Sequence, residues 1–299
     1  MKYLFNENFI MKAILVLTDF SANAENSAKT AVYLASKLKT NLFLFNTCVD
    51  VPVMTAYGGG PWIVDEILER RNQGTNKLKL LKTRLADTIA RCDHHDYHPT
   101  IHTECGEGGL GINVEEIISE RDVEMVIMGA SITKPISHLL TGDAVTKVIN
   151  HANRPILIIP QHVELQNIKN VMFATDFNEE DHAALSYLSQ IGLKLQFHVE
   201  LVHINLYNEK PIVPFEKKIF MDEVFSAGYS NVSFKEMNGK ELPGKLAAFC
   251  EQQNIDMLAM MHHQQPFFMR LFQHSTTSQI LSRQNIPLFV FPSGMPGKR

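Results

Sequence analysis

The chain contains two copies of one sequence pattern, and this repeat limits its fold more than any other feature. Residues 14–21 (ILVLTDFS) recur at 171–178 (VMFATDFN), a separation of 157 residues (171 − 14). A second match places 123–129 (VEMVIMG) onto 255–261 (IDMLAMM), a separation of 132 residues (255 − 123). The separations differ by 25 residues (157 − 132), so the first copy carries about that many extra residues in its middle. A chain of 299 residues with this repeat is expected to form two similar domains.

Within each copy, apolar strands alternate with helices. After the run at 14–17, apolar residues at helical spacing between Ala28 and Leu38 predict a helix that Ser21 or Asn23 is suited to cap. The other elements predicted for the first copy are strands at 41–46, near 98–104, at 123–129 and at 154–160, and helices at about 62–92, 111–122 and 143–151. This alternation is typical of βαβ units and a parallel sheet covered on both faces. A short polar linker, 161–167 (QHVELQN), separates the copies.

Composition and charge exclude several classes of protein. The chain is 45% hydrophobic and 20% charged, as expected of a globular protein, and its formal net charge is −4. It has no block of five or more Lys or Arg residues and no apolar stretch near the roughly 20 residues of a membrane span. We therefore expect neither nucleic acid nor a membrane among its partners.

The cysteines and the N-terminal segment predict a compartment. Cys48, Cys92, Cys105 and Cys250 form no CxxC pair, which favours free thiols in a reducing compartment. The segment MKYLFNENFIMK lacks the pattern of a secretory signal peptide. Both features predict a cytoplasmic protein.

Three segments carry a resemblance to a known family. They are Thr18-Asp19-Phe20-Ser21 at a strand end, the loop from Gly129 to Gly142 before a helix, and the strand 154–159 (RPILII). The second copy is similar through 175–177 (TDF) and 286–291 (IPLFVF). In order and spacing, these segments resemble the universal stress protein family over about 11–160 and 168–293. We therefore interpret the chain as a tandem member with one domain in each of these ranges.

This resemblance implies a fold and an assembly. The fold is two open parallel five-stranded sheets of strand order 3-2-1-4-5 with helices on both faces, a Rossmann-like, adenine nucleotide alpha hydrolase-like α/β architecture. In the family, the last strands of two domains pair antiparallel to form a dimer. The strands 154–160 and 286–292, which both end in Pro, allow that pairing within one chain, as an intramolecular pseudo-dimer, or between chains, as a homodimer.

The resemblance also implies a ligand, since some family members bind ATP at the carboxyl edge of the sheet. The residues that it assigns to an adenine nucleotide here are Thr18, Asp19, Gly129, Ser131, Gly142, Asp143, Ala144 and Val145. Glycines and a helix N-terminus suit a phosphate, because backbone N–H groups approach it closely there. Ile132 replaces a family glycine and Asp143 a small hydroxyl residue. An ionised Asp within about 4 Å of a phosphate weakens binding by roughly one to three orders of magnitude, unless Mg²⁺ lies between them.

Structural interpretations of the same residues remain open. Gly142 suits a turn and Asp143 an N-cap whether or not a ligand is present, and Asp19 and Ser21 together suit the cap of the following helix. In the second copy, Met261, Gln264 and His274 stand at the three glycine positions, which predicts that this copy binds no nucleotide in the family's mode. Its apolar segment 267–272 (FFMRLF) is expected to be an interface or a core filler.

A histidine-rich segment invites a metal interpretation. Residues 92–105 (CDHHDYHPTIHTEC) include His94, His95, His98 and His102, and Zn²⁺ takes Cys, His and carboxylate ligands. The spacing disfavours a preformed site, because His98 and His102 would lie roughly 13 Å apart along a strand. We therefore predict no resident metal and keep these four histidines as weak candidate ligands.

No catalytic constellation is present in the sequence. It contains no GxSxG, HExxH or complete GxxxxGK[ST] motif, so no catalytic residue is predicted. The leading hypothesis is a stress-associated protein that senses a ligand or acts as a scaffold, with ATP and Mg²⁺ bound in the first copy. Two alternatives stay open: a nucleotide-independent module that presents 56–66 (AYGGGPWIVDE) and 267–272 to protein partners, and a slow nucleotide hydrolase.

Overall fold

Ten strands form one continuous sheet in the computed structural model of the chain. The model describes residues 12–48, 61–91, 97–129, 143–161, 163–206, 214–239, 248–262 and 286–295, with the backbone alone for 61–65, 143, 206 and 214. The strands are β1 (Ala13–Leu17), β2 (Asn41–Thr47), β3 (Ile101–Gly106), β4 (Val123–Gly129), β5 (Ile156–Ile159), β6 (Asn170–Ala174), β7 (His198–Leu206), β8 (Val232–Gly239), β9 (Met257–His262) and β10 (Leu288–Pro292). The helices are α1 (Ala22–Leu38), α2 (Pro61–Ala90), α3 (Leu110–Glu120), α4 (Asp143–His151), α5 (Asp181–Leu195) and α6 (Pro214–Ser226).

The sheet consists of two parallel halves with the predicted strand order. Its order is β3-β2-β1-β4-β5-β10-β9-β6-β7-β8, so each half reads 3-2-1-4-5 from its outer edge to the centre. The halves meet where β5 and β10 pair antiparallel, with Leu157 opposite Phe289. The α/β fold class and the antiparallel pairing within one chain are therefore confirmed. Homodimer formation stays a prediction.

Strand residues alternate between two apolar layers, one on each face of the sheet. Along β1, Ile14 and Val16 join one buried cluster, whereas Leu15 and Leu17 join the other. Both clusters continue from the first half into the second. Because successive side chains of a strand point to opposite faces, near-continuous apolar runs are what a sheet covered on both sides requires.

The extra residues of the first copy lie between its second and third strands. Helix α2 has 30 residues, whereas its counterpart α6 has 13, a difference of 17 (30 − 13). The predicted helix at about 62–92 matches α2, but the strand predicted near 98–104 is displaced to Ile101–Gly106.

The connection between the two halves is largely polar in composition, but it packs apolar side chains into the core. A 3₁₀ helix, Leu165–Asn167, follows β5, and both Leu165 and Ile168 are buried in the core. These two apolar side chains anchor the connection, and the burial of Leu165 corrects the expectation of a polar linker at 161–167. Among the described residues, no helix is long and apolar enough to cross a membrane.

Candidate functional site

The carboxyl ends of β1 and β4 bring two predicted site residues together. Leu17 of β1 pairs with Met128 of β4, so the residues that follow, Thr18 and Gly129, adjoin at the same edge of the sheet. Strand β1 lies between β2 and β4, where the strand order reverses, and ligands of open α/β sheets bind at that point. We call Thr18, Asp19, Asn46 and Gly129 the first-half edge.

A tight turn leads from β1 into α1. Thr18 is buried and its Oγ1 accepts a hydrogen bond from the N–H of Phe20 at 3.0 Å. Asp19 is exposed and its Oδ1 accepts one from the N–H of Ser21 at 2.9 Å. Ser21 is the N-cap of α1, with its Oγ accepting from the N–H of Ala24 at 3.2 Å. The capping interpretation is thus confirmed for Ser21, and Asp19 accepts from the N–H of this N-cap residue, with its carboxylate exposed at the edge.

The turn places a bulky residue in the left-handed region of backbone space. Phe20 has φ 64°, and Phe177, its counterpart in the second half, has φ 63°. A side chain in this region costs on the order of 1–3 kcal/mol, and such strain persists only where the surroundings impose it. In both halves a threonine hydroxyl accepts a hydrogen bond from the strained residue's N–H, at 3.0 Å in the first and 2.9 Å in the second.

Gly129 lies directly against the start of α1. A Cβ added at Gly129 would stand 3.1 Å from the N atom of Ala24 and 3.1 Å from the carbonyl carbon of Asn23. These are backbone atoms, which move less readily than the end of a side chain. The absence of a side chain at position 129 therefore lets the end of β4 and the first turn of α1 approach closely.

Asn46 completes the first-half edge and is absent from the site residues predicted from the sequence. Its Nδ2 donates to the carbonyl oxygen of Thr18 at 2.7 Å, and so fixes the residue directly before Asp19. The second half has His203 at the equivalent position, where Nδ1 donates to the carbonyl oxygen of Thr175 at 2.8 Å. The repeat carried a signal for this pair, because Asn46 and His203 are themselves 157 residues apart (203 − 46).

Helix α4 begins at Asp143, where the sequence predicted it. Ala144 is exposed in its first turn, whereas Val145 is buried in the core. The side chain of Val145 therefore packs against the sheet, and only its backbone remains suited to a ligand. Ser131 and Gly142 lie outside the described residues, as does the loop that contains them.

The second half has an equivalent edge at the carboxyl ends of β6 and β9, but different residues occupy it. Ala174 of β6 pairs with Met260 of β9, so Thr175 adjoins Met261, which is buried where the first half has Gly129. Helix α5 begins at Asp181, whereas the equivalent of the first residue of α1 would be position 179 (22 + 157). The second half thus has a side chain at position 261, where the first half has Gly129, and its helix α5 starts two residues later than the equivalent helix α1.

A buried polar pair and an aromatic cluster fill this second edge. The Thr175 hydroxyl donates to Oδ2 of Asp181 at 2.6 Å, and both residues are buried. Phe177 is also buried, with its ring centroid 4.4 Å from that of His203 and 5.4 Å from that of Phe220. The corresponding first-half residue, Phe20, is only half-buried. The second edge is therefore packed with side chains of its own chain.

Two of the four cysteines form a disulfide, Cys48–Cys105. Cys105 lies in β3 opposite Asn46 of β2, and Cys48 follows directly after β2. The prediction of free thiols is wrong for this pair, because neighbouring parallel strands bring together two residues that are 57 apart in sequence. Cys250 is a free, buried thiol, and Cys92 lies outside the described residues.

The candidate metal ligands are only partly described. His94 and His95 lie outside the described residues, whereas His98 and His102 are both exposed, His98 before β3 and His102 within it. Partial burial lowers the pKa of His102, and the nearby charges of Lys82 and Arg121 lower it further. In the part of the chain that the structure describes, no three His, Cys, Asp or Glu residues are grouped as metal ligands would be.

Known proteins share both the sequence pattern and the fold. Residues 11–160 match the model of the universal stress protein family. A universal stress protein of Synechocystis is 23% identical over 297 residues, covering 94% of this chain and 100% of that protein. One from Methanocaldococcus jannaschii is 23% identical over 155 residues, which is 52% of this chain and 85% of that protein.

Solved structures extend the similarity over nearly the whole chain. The crystal structure of a universal stress protein from Archaeoglobus fulgidus superposes with a TM-score of 0.66, at 17% identity, covering 94% of this chain and 96% of that one. The family match, the relatives and the strand order agree. The chain belongs to the universal stress protein family.

Proposed function

We propose that this chain is a stress-associated ligand-sensing protein that binds ATP, or another adenine nucleotide, at the first-half edge. The observation that carries the proposal is the convergence of Thr18, Asp19 and Gly129 where the strand order reverses. Gly129 presents no side chain there, and Asp19 presents an exposed carboxylate. The resemblance to family members that bind ATP at this edge supports the same assignment.

The residues present suit a nucleotide accompanied by Mg²⁺. One oxygen of Asp19 accepts the Ser21 N–H, and the carboxylate has further lone pairs for a cation or a ribose hydroxyl. Mg²⁺ is usually bound through one or two carboxylates together with substrate phosphates. The cation would offset the negative charge that Asp143 brings to the start of α4, and the start of a helix suits a phosphate because its first backbone N–H groups have no partner within the helix.

We propose further that the second half binds no nucleotide in this way. Met261 stands where Gly129 leaves space, and Phe177 is buried among His203, Phe220 and Phe234. A ligand there would have to displace packed aromatic side chains, which costs several kcal/mol of buried apolar contact. The expected stoichiometry is therefore one nucleotide per chain.

Thermal denaturation with and without ATP and Mg²⁺ tests the proposal. Ligand that binds only the folded state stabilises it by about 2.7 kcal/mol at a hundredfold excess over Kd, so the Tm rises. Asp19→Asn is expected to reduce this rise, and Gly142→Val to abolish it while the protein stays folded. Asp176→Asn makes the same change in the second half and serves as the matched control. An unchanged Tm at millimolar ATP would overturn the proposal.

A second candidate function is a nucleotide-independent interaction module, which an apolar helix surface favours. Phe215 and Ile219 lie one turn apart on α6 and are 69% and 44% exposed, and Phe225 further along is 72% exposed. The segments first proposed for this role, 56–66 and 267–272, are described only from residue 61 to 66. Sedimentation of Phe215→Ser/Ile219→Ser beside the parent chain tests it. A complex or homodimer that survives both substitutions contradicts this surface.

A further inference from the structure

The two halves of the molecule link the same pair of positions by different chemistry. In the first half, the disulfide joins Cys48, directly after β2, to Cys105 of β3. The equivalents in the second half are Asn205, 157 residues after Cys48 (205 − 48), and Glu236, which stands opposite His203 as Cys105 stands opposite Asn46. Asn205 Nδ2 donates to Oε1 of Glu236 at 2.7 Å.

The second half also adds a cation to this link. Lys217 of α6 forms an ion pair and a hydrogen bond with Glu236. The same fold is therefore held at these positions without sulfur. The fold therefore does not require the disulfide of the first half, and a chemical role for this disulfide is open.

Helix α2 carries a glycine where it crosses the disulfide. A Cβ added at Gly74 would stand 2.6 Å from Sγ of Cys105 and 3.1 Å from Sγ of Cys48. Glycine inside a helix costs roughly 1 kcal/mol relative to alanine, yet any side chain here would overlap the sulfur atoms. Gly74 thus lowers the helix propensity of α2 at this position, but it leaves room for the sulfur atoms of Cys48 and Cys105.

The sulfur pair also touches the first-half edge. Sγ of Cys105 lies 3.8 Å from Oδ1 of Asn46, and the Nδ2 of that same amide donates to the carbonyl oxygen of Thr18. One side chain therefore connects the disulfide to the residue that precedes Asp19.

We propose that Cys48–Cys105 is a reversible thiol–disulfide switch that reacts with small thiols and disulfides of the glutathione class and sets ligand affinity at the first-half edge. The affinity part rests on the function proposed above. In a reducing compartment, the disulfides that do form are usually transient and catalytic or redox-sensing.

The reaction is a pair of exchange steps. An external thiolate attacks Sγ of Cys48, the more exposed of the two, which breaks the disulfide and forms a mixed disulfide. Cys105 leaves as a thiolate and takes up a proton. A second external thiolate then attacks the external sulfur of the mixed disulfide, which releases Cys48 as a thiol after proton uptake. The net reaction converts one protein disulfide and two small thiols into two protein thiols and one small disulfide.

Reduction changes the contacts of Asn46. A disulfide holds its sulfur atoms at about 2.05 Å, whereas non-bonded atoms stand roughly 3.5–4 Å apart, so the two thiols must separate. The backbone of α2 lies so near at Gly74 that even an added Cβ would stand 2.6 Å from Sγ of Cys105, which limits separation towards α2. The Cys105 thiol also gains a proton that it can donate to Oδ1 of Asn46, which the disulfide lacks. Both changes are expected to shift the Asn46 amide and break its hydrogen bond to the carbonyl oxygen of Thr18. The oxidised protein, which keeps this bond, is therefore expected to bind ATP more tightly, by about threefold to tenfold for one lost hydrogen bond.

The remaining described cysteine provides an internal control. Cys250 is 2% exposed, and burial raises the pKa of its thiol to about 12. Because the thiolate is the reactive form, Cys250 is expected to stay unmodified while Cys48 and Cys105 cycle.

The test has a chemical readout and a binding readout on the full-length chain. The protein is equilibrated at graded ratios of reduced to oxidised glutathione, free thiols are alkylated, and the modified cysteines are identified by mass spectrometry. ATP affinity is measured at both ends of the series, with Cys48→Ser/Cys105→Ser as the variant that cannot switch and Cys250→Ala as the matched control that can.

The switch predicts that Cys48 and Cys105 gain and lose label together, and that the oxidised protein binds ATP about threefold to tenfold more tightly. The serine variant would have one affinity throughout, and Cys250→Ala would respond like the parent. Independent labelling of the two cysteines, or equal affinity in both states, overturns the proposal. Failure of ATP to bind either state would instead overturn the function proposed above, while coupled labelling would still establish the redox pair.

Discussion

Asn46 donates a 2.7 Å hydrogen bond to the carbonyl oxygen of Thr18, and this contact ties β2 to the turn that presents Asp19. His203 makes the same contact with Thr175 in the second half. Two different side chains thus meet one backbone requirement, since a carbonyl group at a strand end needs a donor once it is removed from water.

Removing this donor is expected to destabilise the first half. Asn46→Ala leaves the Thr18 carbonyl without its side-chain donor, and an unsatisfied buried acceptor costs about 1–3 kcal/mol. Urea denaturation measures the change in the free energy of unfolding. In the second half, His203→Asn keeps a donor and should cost less than His203→Ala. Equal losses for these two variants would show that ring packing, rather than the hydrogen bond, is what matters.

A methyl group at position 129 is expected to strain the contact between β4 and α1. Gly129→Ala places a Cβ 3.1 Å from backbone atoms of Asn23 and Ala24, and overpacking of this kind costs about 1–3 kcal/mol. Gly109→Ala is the comparison, because the nearest atom to its added Cβ is 3.9 Å away and its cost is limited to that of alanine in place of glycine at the N-cap of α3. Unfolding free energies that fall equally in both variants would contradict the close approach described here.

The hydrogen bond between Asn205 and Glu236 predicts that the stability of the fold depends on pH under acidic conditions. The hydrogen bond from Lys217 lowers the pKa of Glu236 below its ordinary 4.5, and that from Asn205 lowers it further. A carboxyl group whose pKa is depressed by folding stabilises the folded state above its unfolded pKa, and this contribution is lost as pH falls through the folded value. The stability difference between the parent and Glu236→Gln should therefore be constant above about pH 5 and shrink below 4.5.

Salt separates this effect from general acid unfolding. The Lys217–Glu236 pair is partly exposed, so added salt should reduce the difference between the parent and Glu236→Gln. A difference that keeps its size down to pH 3, or grows with salt, would rule out the ion pair as its source.

The buried hydroxyl of Tyr187 leads us to expect that the stability of the fold depends on pH under alkaline conditions. Its hydroxyl donates to the carbonyl oxygen of Glu124 in the first half at 3.3 Å. Burial raises the pKa of Tyr187 well above 10, and the Glu124 carboxylate raises it further. In the unfolded chain the phenol ionises near pH 10, so the unfolded state gains relative to the folded state as pH rises above 10. The parent should lose stability there, and Tyr187→Phe should lack that part of the loss; parallel curves for both proteins would contradict it.

Much of the fold follows from the repeat alone. The separation of 157 residues aligns Thr18 with Thr175 and Phe20 with Phe177, and the structure gives each pair the same hydrogen bond. Helix α4 begins and ends at the predicted residues, because Asp143 and His151 bound a clear apolar pattern. The antiparallel pairing of β5 with β10 was expected from the resemblance to the universal stress protein family.

The contacts between distant residues were harder to predict. Cys48 and Cys105 meet because β2 and β3 are neighbours, which depends on strand order and register rather than on spacing in the sequence. Asn46 resembles any polar residue at a strand end until its carbonyl partner is known. Leu165 falls within the predicted polar linker, 161–167, because its burial depends on how the chain crosses between the two halves.

The central claim is that one half of this tandem protein binds an adenine nucleotide and the other does not. Isothermal titration of the oxidised chain with ATP and Mg²⁺ tests it most directly, with Asp19→Asn and Asp176→Asn titrated in parallel. We expect one nucleotide per chain, weaker binding in Asp19→Asn and unchanged binding in Asp176→Asn. Two nucleotides per chain, no binding heat, or equal weakening in both variants would contradict the claim.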